Sequence, residues 1–258
     1  MESPKIPLIV LMTDFGNDPY SGIVIGRILQ INPLVKVSTL TNHVNPHDIR
    51  HGAFILLKSY KYFPLNTIFL VVVDPGVGSS RRAIAAQIDN YYFIGPDNGI
   101  FSPIIADKEY SSVVELRIPE NASYTFHGRD VFAPAAAKLS QSYSLKDLGP
   151  TSTLKASLDF FWDPSSSTGE AIFIDHFGNI ITNIPNSINL KYNKEYYLRT
   201  PRTTIKLTLV RSYFEGSGTK PILLVSSFET LEIGLRNGKA IDLVDISPGD
   251  RIQFCRVE

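Results

Sequence analysis

Two buried-strand patterns, each followed by an aspartate, most constrain what this chain can fold into. Residues 7–13 and 67–73 are short, uninterrupted runs dominated by Leu, Ile and Val. Such runs are typical of strands that are covered on both faces, as in parallel sheets flanked by helices. Asp14 and Asp74 follow them directly. The two runs therefore predict a central sheet whose strands end in polar turns.

Helix signals alternate with these strands. Segment 20–30 follows Asp18, which we expect to cap a helix, and segment 49–62 follows Asp48, a second expected cap. Further along, Asp89-Asn90 separates two strand-like runs and predicts a hairpin. This alternation of strands and helices predicts an α/β domain with a largely parallel sheet.

The pattern changes near residue 150. Segment 163–169 is rich in Pro, Ser, Thr and Gly, as linkers are, and almost only short alternating strands follow it. The predicted strands are 171–175, 180–184, 195–199, 204–210, 221–226, 230–235 and 251–257. Short strands with regular turns are typical of a small barrel or sandwich. We therefore expect an α/β domain at 1–155, a linker at 156–167 and a smaller all-β domain at 168–258.

Composition narrows the function classes. The 258 residues carry 25 basic and 25 acidic side chains, so neither a nucleic acid nor a membrane surface is an expected partner. The single cysteine, Cys255, excludes an intrachain disulfide and a cysteine-cluster zinc site. His47 and His51 have a spacing that metals can use on a helix, but no third ligand accompanies them. We expect a cytoplasmic protein with no metal and no cofactor.

Polar clusters after the strands are the first candidates for a site. In a parallel sheet, ligands bind beyond the carboxyl ends of the strands, where Asp14 and Asp74 are expected to lie. Each aspartate could instead cap its own turn through backbone N–H groups. Asn98, in the turn 96–99, could present its amide to a ligand or simply complete a β-turn.

Segment 126–130 contains a histidine, a glycine, an arginine and an aspartate directly before a predicted helix at 131–140. His127 can act as acid, base or hydrogen-bond donor near neutral pH, and Gly128 lets the backbone approach a neighbour closely. Asp130 is expected to cap the helix that follows. The cluster predicts a functional position for His127.

The second half has its own candidates. Asp175 and Asn179 flank a turn, and they could also bind an amine and the edge of a heteroaromatic ring. Phe214 could stack on a ligand or anchor its loop. We also expect candidate binding positions for a carboxylate and a nucleobase at Ser226-Ser227 and in segment 236–238.

Taken together and in this order, the motifs 13–16, 74–82, 96–99, 126–130 and 175–179 resemble those of the S-adenosyl-L-methionine (SAM) hydroxide adenosyltransferases. This family is also called the SAM hydrolases (adenosine-forming) and is related to the fluorinases and chlorinases. The resemblance covers essentially the whole chain. It implies an enzyme that attacks C5′ of SAM with water or hydroxide and releases adenosine and L-methionine. It also implies a homotrimer that holds SAM between the α/β domain of one subunit and the β domain of the next.

The resemblance also assigns roles to residues. The family's Asp–Arg–His constellation corresponds to Asp74, Arg81 and His127, and its ribose-diol aspartate corresponds to Asp14. The remaining expected substrate-binding residues are Asn98, Phe126, Asp175 for the methionine amine, Asn179 for the adenine edge, Phe214 against adenine, Ser227, Glu232, Arg236 and Asn237.

Departures from the halogenase branch indicate the nucleophile. The resemblance places Asp74 where a fluorinase has tyrosine, Val77 in place of threonine, His127 in place of tyrosine and Gly128 in place of serine. A carboxylate beside the nucleophile would repel halide, whereas Asp74 and His127 can orient water. The sequence leaves open which of these two residues is the base.

Two other function classes remain open at this stage. A non-catalytic sensor of SAM or adenosine would keep Asp14, Asn179 and Phe214. It would not need Arg81 or His127. A metal-dependent hydrolase is the second alternative. It would use four side chains, Asp14, Asp74, Asp97 and His127.

Overall fold

The computed structural model describes residues 7–105, 110–188 and 190–256, and it divides into two compact units, Met1–Asp159 and Phe160–Glu258. The division falls inside the predicted linker, 156–167. The first unit combines a mixed sheet with helices, and the second is built on an antiparallel sheet. Among the described residues, no helix is both long and apolar enough to cross a bilayer.

The sheet of the first unit has seven strands in the order β2-β1-β3-β5-β4-β6-β7. The strands are β1 Leu8–Thr13, β2 Lys36–Thr41, β3 Ile68–Val72, β4 Ala83–Ile88, β5 Tyr91–Pro96, β6 Tyr110–Glu115 and β7 Thr151–Ser152. Strands β2, β1, β3 and β5 are parallel, whereas β4, β6 and β7 join through antiparallel pairs. The sheet is therefore mixed, and the prediction of a largely parallel sheet holds only for its first four strands.

The predicted hairpin at Asp89-Asn90 is confirmed, and it is the reason for the mixed sheet. Strands β4 and β5 pair antiparallel across this two-residue connection, with Asp89 in the left-handed region at φ 51°. So short a connection reverses the chain and excludes a parallel pairing of the two strands, which needs a long crossover. The carboxyl ends of β1 and β3 still meet at one edge of the sheet.

The helices of the first unit are α1 Tyr20–Ile31, α2 Ile49–Ser59, α3 Ser102–Ile105, α4 Ala133–Leu139 and α5 Leu145–Leu148. The cap predicted for α2 is confirmed, since Asp48 Oδ1 accepts a hydrogen bond from His51 N at 2.9 Å. The cap predicted for α1 was wrong: Pro19 precedes the first helical residue, and no side chain caps this end. The helix itself begins at Tyr20, the residue that the sequence predicts.

The second unit contains seven strands in the order β11-β10-β14-β8-β9-β13-β12. They are β8 Thr168–Ile174, β9 Ile180–Pro185, β10 Glu195–Arg199, β11 Thr204–Thr208, β12 Ile222–Val225, β13 Thr230–Gly234 and β14 Arg251–Arg256. All six pairs are antiparallel, and a bridge from Leu209 to Leu223 links the two ends of the series. The inward residues form one buried apolar cluster that includes Leu198, Leu223 and Ile252.

Candidate active site

A cavity of about 520 Å³ lies in the first unit, beyond the carboxyl ends of β1 and β3. This is the edge at which the sequence places Asp14 and Asp74, and both residues line the cavity. Segments 14–18, 46–47 and 125–128 form much of its wall, together with Tyr20, Val72 and Val77. The location follows the general rule that open parallel sheets bind ligands beyond the carboxyl ends of their strands.

Three of the predicted residues converge at this cavity. Arg81 Nε lies 2.9 Å from Asp74 Oδ1, and Arg81 Nη2 lies 2.5 Å from Asp74 Oδ2. The same Nη2 lies 2.8 Å from His127 Nδ1. The Asp74 and Arg81 side chains are only 5% and 9% exposed, and His127 is 3% exposed. A single buried guanidinium therefore joins the carboxylate to the imidazole.

This geometry determines the protonation of His127. A guanidinium only donates hydrogen bonds, so Nδ1 must accept from Arg81 and the proton of the neutral ring is on Nε2. Burial, and after it the positive charge of Arg81, lowers the pKa of His127 below its ordinary value. The imidazole is therefore neutral at pH 7 and acts as a donor through Nε2.

The far side of the guanidinium faces an aromatic ring. The Cζ atom of Arg81 lies 5.3 Å from the centroid of Phe132, which is fully buried. Arg81 Nη1 has no hydrogen-bond partner in the described part of the chain. Because Asp74, His127 and Phe132 surround the group, its position is tightly defined.

Backbone features bring the Asp74 loop to His127. Gly78 has φ +77°, and a Cβ atom built on it would lie 2.3 Å from the carbonyl oxygen of Tyr124. Only glycine permits this close approach. Upstream in the loop, Val77 N donates to the carbonyl of Asp74 at 3.2 Å. The loop after β3 thus packs directly on the segment that leads to His127.

A π-helical turn, Gly128–Phe132, begins immediately after His127 and continues into α4. The prediction that Asp130 caps this helix was wrong, because Asp130 lies inside the turn. Its carboxylate accepts from Ser123 N at 2.9 Å and from Arg129 Nε at 2.7 Å. Asp130 therefore holds the preceding loop, and turns of this kind are frequent at functional sites.

Asp14 also lines the cavity. Its Oδ2 accepts a hydrogen bond from His47 N at 2.9 Å. Phe126 also lines the cavity and packs edge to face against Phe15 and Tyr20, at centroid distances of 6.0 and 5.6 Å. Sequence patterns did not single out these two partners of Phe126, because contacts between separate segments leave no local signal.

Two residues of the turn 96–99 lie outside this cavity. Asn98 Nδ2 donates to Val73 O at 2.9 Å, and Asn98 Oδ1 accepts from Ile100 N at 3.3 Å. Asp97 is paired with Arg82 and also faces the backbone of Lys155. Within the described ranges, no group of three or more His, Cys, Asp or Glu side chains is arranged to hold a metal ion.

A second cavity, of about 980 Å³, belongs to the second unit. Every substrate-binding residue expected in this half lines it. They are Asp175, Asn179, Phe214, Ser227, Glu232, Arg236 and Asn237. His176 and Phe177, inside the motif 175–179, also line it, and so does Tyr213, to which no sequence pattern pointed.

Asp175 and Asn179 organise one wall through a tight turn. Asp175 Oδ1 accepts from the backbone N–H groups of Phe177 and Asn179 at 2.9 and 2.8 Å. Asp175 Oδ2 accepts from Asn179 Nδ2 at 2.9 Å. The turn interpretation is therefore correct, and both side chains still face the cavity.

An exposed aromatic ring, that of Phe214, also lines this cavity. Phe214 is 77% exposed, and Arg236 Cζ lies 4.5 Å from its ring centroid. Its neighbour Tyr213 donates a short hydrogen bond to Glu232 Oε1. Burial is the main cause that raises the pKa of the Glu232 carboxyl above its ordinary value.

The chain is similar to known proteins over most of its length. A (R)-S-adenosyl-L-methionine hydrolase of Methanocaldococcus jannaschii is 32% identical over 98% of this chain and 98% of its own length. A fluorinase of an Actinoplanes species is 26% identical over 69% of this chain and 72% of its own length. The crystal structure of an uncharacterized conserved protein from Thermotoga maritima superimposes with a TM-score of 0.89 at 30% identity, covering 96% of this chain and all of that one.

Family models cover both units of the chain. The model of the SAM hydroxide adenosyltransferase N-terminal domain matches residues 9–149, and the model of the C-terminal domain matches residues 169–253. The chain belongs to the SAM hydroxide adenosyltransferase family.

Proposed function

We propose that this protein hydrolyses SAM to adenosine and L-methionine, with water attacking C5′ of the ribose. The substrate is the (R) epimer at sulfur, which the name of the M. jannaschii relative specifies. One observation carries the proposal: Asp74 and His127 contact the same buried guanidinium at the edge of a cavity that a nucleoside can enter.

The reaction needs correct positioning of the attacking water more than it needs acid catalysis. The sulfonium of SAM leaves as a neutral thioether, so the departing sulfur needs no proton. Water is a poor nucleophile and must be held in line with the C5′–S bond. Correct placement of the reacting groups supplies roughly 7–11 kcal/mol of barrier reduction at best. A rigid, buried constellation such as Asp74–Arg81–His127 suits this task.

Each member of the triad has a role that its contacts support. Water donates one hydrogen bond to the Asp74 carboxylate, whose oxygens have lone pairs beyond those used by Arg81. Nε2–H of His127 donates to the water oxygen and stabilises its developing hydroxide character. The oxygen bonds to C5′, the C5′–S electron pair moves to sulfur, and Asp74 takes the proton. Arg81 holds both partners in place.

The binding residues complete the assignment. Asp14 binds the ribose diol, Asp175 the methionine amine and Asn179 the adenine edge, while Phe214 stacks on adenine. The acidic and amide groups of the two cavities are complementary to these parts of SAM. Because the triad and the adenine-binding residues belong to different units, we place them on different subunits of a homotrimer around each SAM molecule.

The direct test is turnover in labelled water. Purified protein incubated with SAM in H₂¹⁸O and a chelator should form adenosine carrying one ¹⁸O at C5′, together with methionine. The (R) epimer should be consumed faster than the (S) epimer. Formation of S-adenosylhomocysteine would contradict the proposal. Binding of SAM without any product would favour the sensor, and loss of activity on chelation would favour the metal-dependent hydrolase.

A further inference from the structure

Tyr213 and Glu232 form a pair that has no part in the reaction proposed above. Glu232, on β13, is 7% exposed, and Tyr213 is its hydrogen-bond partner among the described residues. A buried carboxyl group is costly unless it makes such a bond. The pair therefore ties the short helical turn Tyr213–Glu215 to the sheet of the second unit.

The same turn is held at its other end by Arg236. Its Nη1 donates to the carbonyl oxygens of Phe214 at 2.9 Å and Gly216 at 3.3 Å. Its guanidinium also covers one face of the Phe214 ring, with 4.5 Å between Cζ and the ring centroid. The ring is 77% exposed, so its other face is open to a ligand.

Gly234 makes room for this arrangement. A Cβ atom at residue 234 would lie 2.6 Å from Cε1 of Tyr213 and 3.2 Å from Oδ1 of Asn179. The Tyr213 ring thus packs on bare backbone, close to the amide expected to read the adenine edge. The turn Tyr213–Glu215 is therefore held by the bond to Glu232, by the bonds from Arg236 and by packing on Gly234. It is held in this way although it carries the exposed ring of Phe214.

We infer that Tyr213 and Glu232 are positioning residues that hold Phe214 as a preformed stacking platform for the nucleobase. This inference rests on the proposed function. Glu232 acts on Phe214 through its hydrogen bond with Tyr213. A platform held in place loses less side-chain freedom when the base binds, which favours affinity.

A double-mutant cycle tests the inference through adenosine binding, measured by calorimetry on the full chain. Tyr213→Phe should weaken adenosine binding about tenfold, and Phe214→Leu should weaken it by about that factor or more. If Tyr213 acts through Phe214, the double variant should bind no more weakly than Phe214→Leu alone. Additive losses, or no loss in either single variant, would overturn the inference.

Glu232→Gln keeps an oxygen that accepts from Tyr213 and removes the charge. We expect the adenosine affinity to stay within about twofold of wild type, because the acceptor for Tyr213 remains and adenosine has no amino-acid part. A loss of adenosine affinity in Glu232→Gln as large as that in Tyr213→Phe would contradict the inference, because the hydrogen bond to Tyr213 is kept. For Tyr213→Phe we expect a raised KM with kcat within about twofold of wild type.

Tyr197→Phe is the matched control, because this residue lies on β10 and does not line the cavity. Its adenosine affinity should equal that of wild type. If wild-type protein binds adenosine but does not hydrolyse SAM, the proposed function is wrong. The double-mutant cycle then still tests whether Tyr213 holds Phe214 for the nucleobase. Wild-type protein that does not bind adenosine would overturn both.

Discussion

At the scale of single residues, Arg81 is the position on which the candidate active site depends most. Its guanidinium contacts Asp74 and His127 through a planar fork that lysine cannot reproduce. Arg81→Lys should lower kcat by about 10²–10⁴-fold, the range typical for loss of a correctly placed acid–base system. Steady-state assays of adenosine release measure this. Arg27→Lys, on the exposed surface of α1, should leave kcat unchanged.

The pH dependence follows from the protonation of His127. Protonation would put an N–H group at Nδ1, facing the Nη2 donor of Arg81, and would break that contact. Because burial and Arg81 lower the pKa of His127, the neutral ring persists below the ordinary pKa of about 6.5. The rate should therefore be flat from pH 8 to about 6.5 and fall only below that. In NMR titrations, Arg81→Gln should move the His127 midpoint upward; a downward shift would contradict this account.

His51 makes a separate prediction about stability. Its Nδ1 accepts from Asn45 N at 3.0 Å, and burial lowers its pKa to about 4. The unfolded chain then binds more protons than the fold between about pH 6.5 and 4. Stability should fall by about 3 kcal/mol as the pH drops through this window. Urea unfolding should show a smaller loss over this window for His51→Gln, and an equal loss would contradict the assignment.

At the scale of elements, the candidate active site depends on the contact between the Asp74 loop and the segment before His127. Gly78→Ala would place a Cβ atom 2.3 Å from the Tyr124 carbonyl oxygen, in addition to the strain of a left-handed alanine. We expect at least about a tenfold loss of kcat and about 1–3 kcal/mol of stability. Gly249→Ala has the same left-handed strain at φ +92° but meets no atom within 4 Å. It should lose stability and keep activity; equal loss of activity in both would contradict the steric argument.

At the scale of the whole molecule, the proposed trimer predicts complementation between defective subunits. Wild-type protein should have a mass in solution of about three times 28.7 kDa by light scattering. Arg81→Lys and Asn179→Ala variants, each defective in a different unit, should be nearly inactive alone. When they are refolded together, about a quarter of the sites should combine two intact halves and regain activity. No recovery on mixing would mean that each site belongs to one chain.

Much of this fold and of the candidate site can be predicted from the sequence. The Asp48 cap, the Asp89-Asn90 hairpin and the strands of the second unit depend on signals spread over a few residues, which periodicity and turn chemistry report directly. The caps expected at Asp18 and Asp130 were wrong, because Pro19 directly precedes α1 and Asp130 lies inside a π-helical turn. Asn98 does not line either of the two cavities described above, and both ends of its amide bind the backbone.

By itself, the sequence determined the order of strands and helices, the change from α/β to β character, and the residue types available for chemistry, because these properties are local or compositional. Only the tertiary structure decided that Arg81 meets His127, 46 residues away, and that the imidazole proton lies on Nε2. It alone decided that Tyr213 binds Glu232, 19 residues away. Contacts at these separations depend on how the sheets and turns pack in space, and no periodicity in the chain records them.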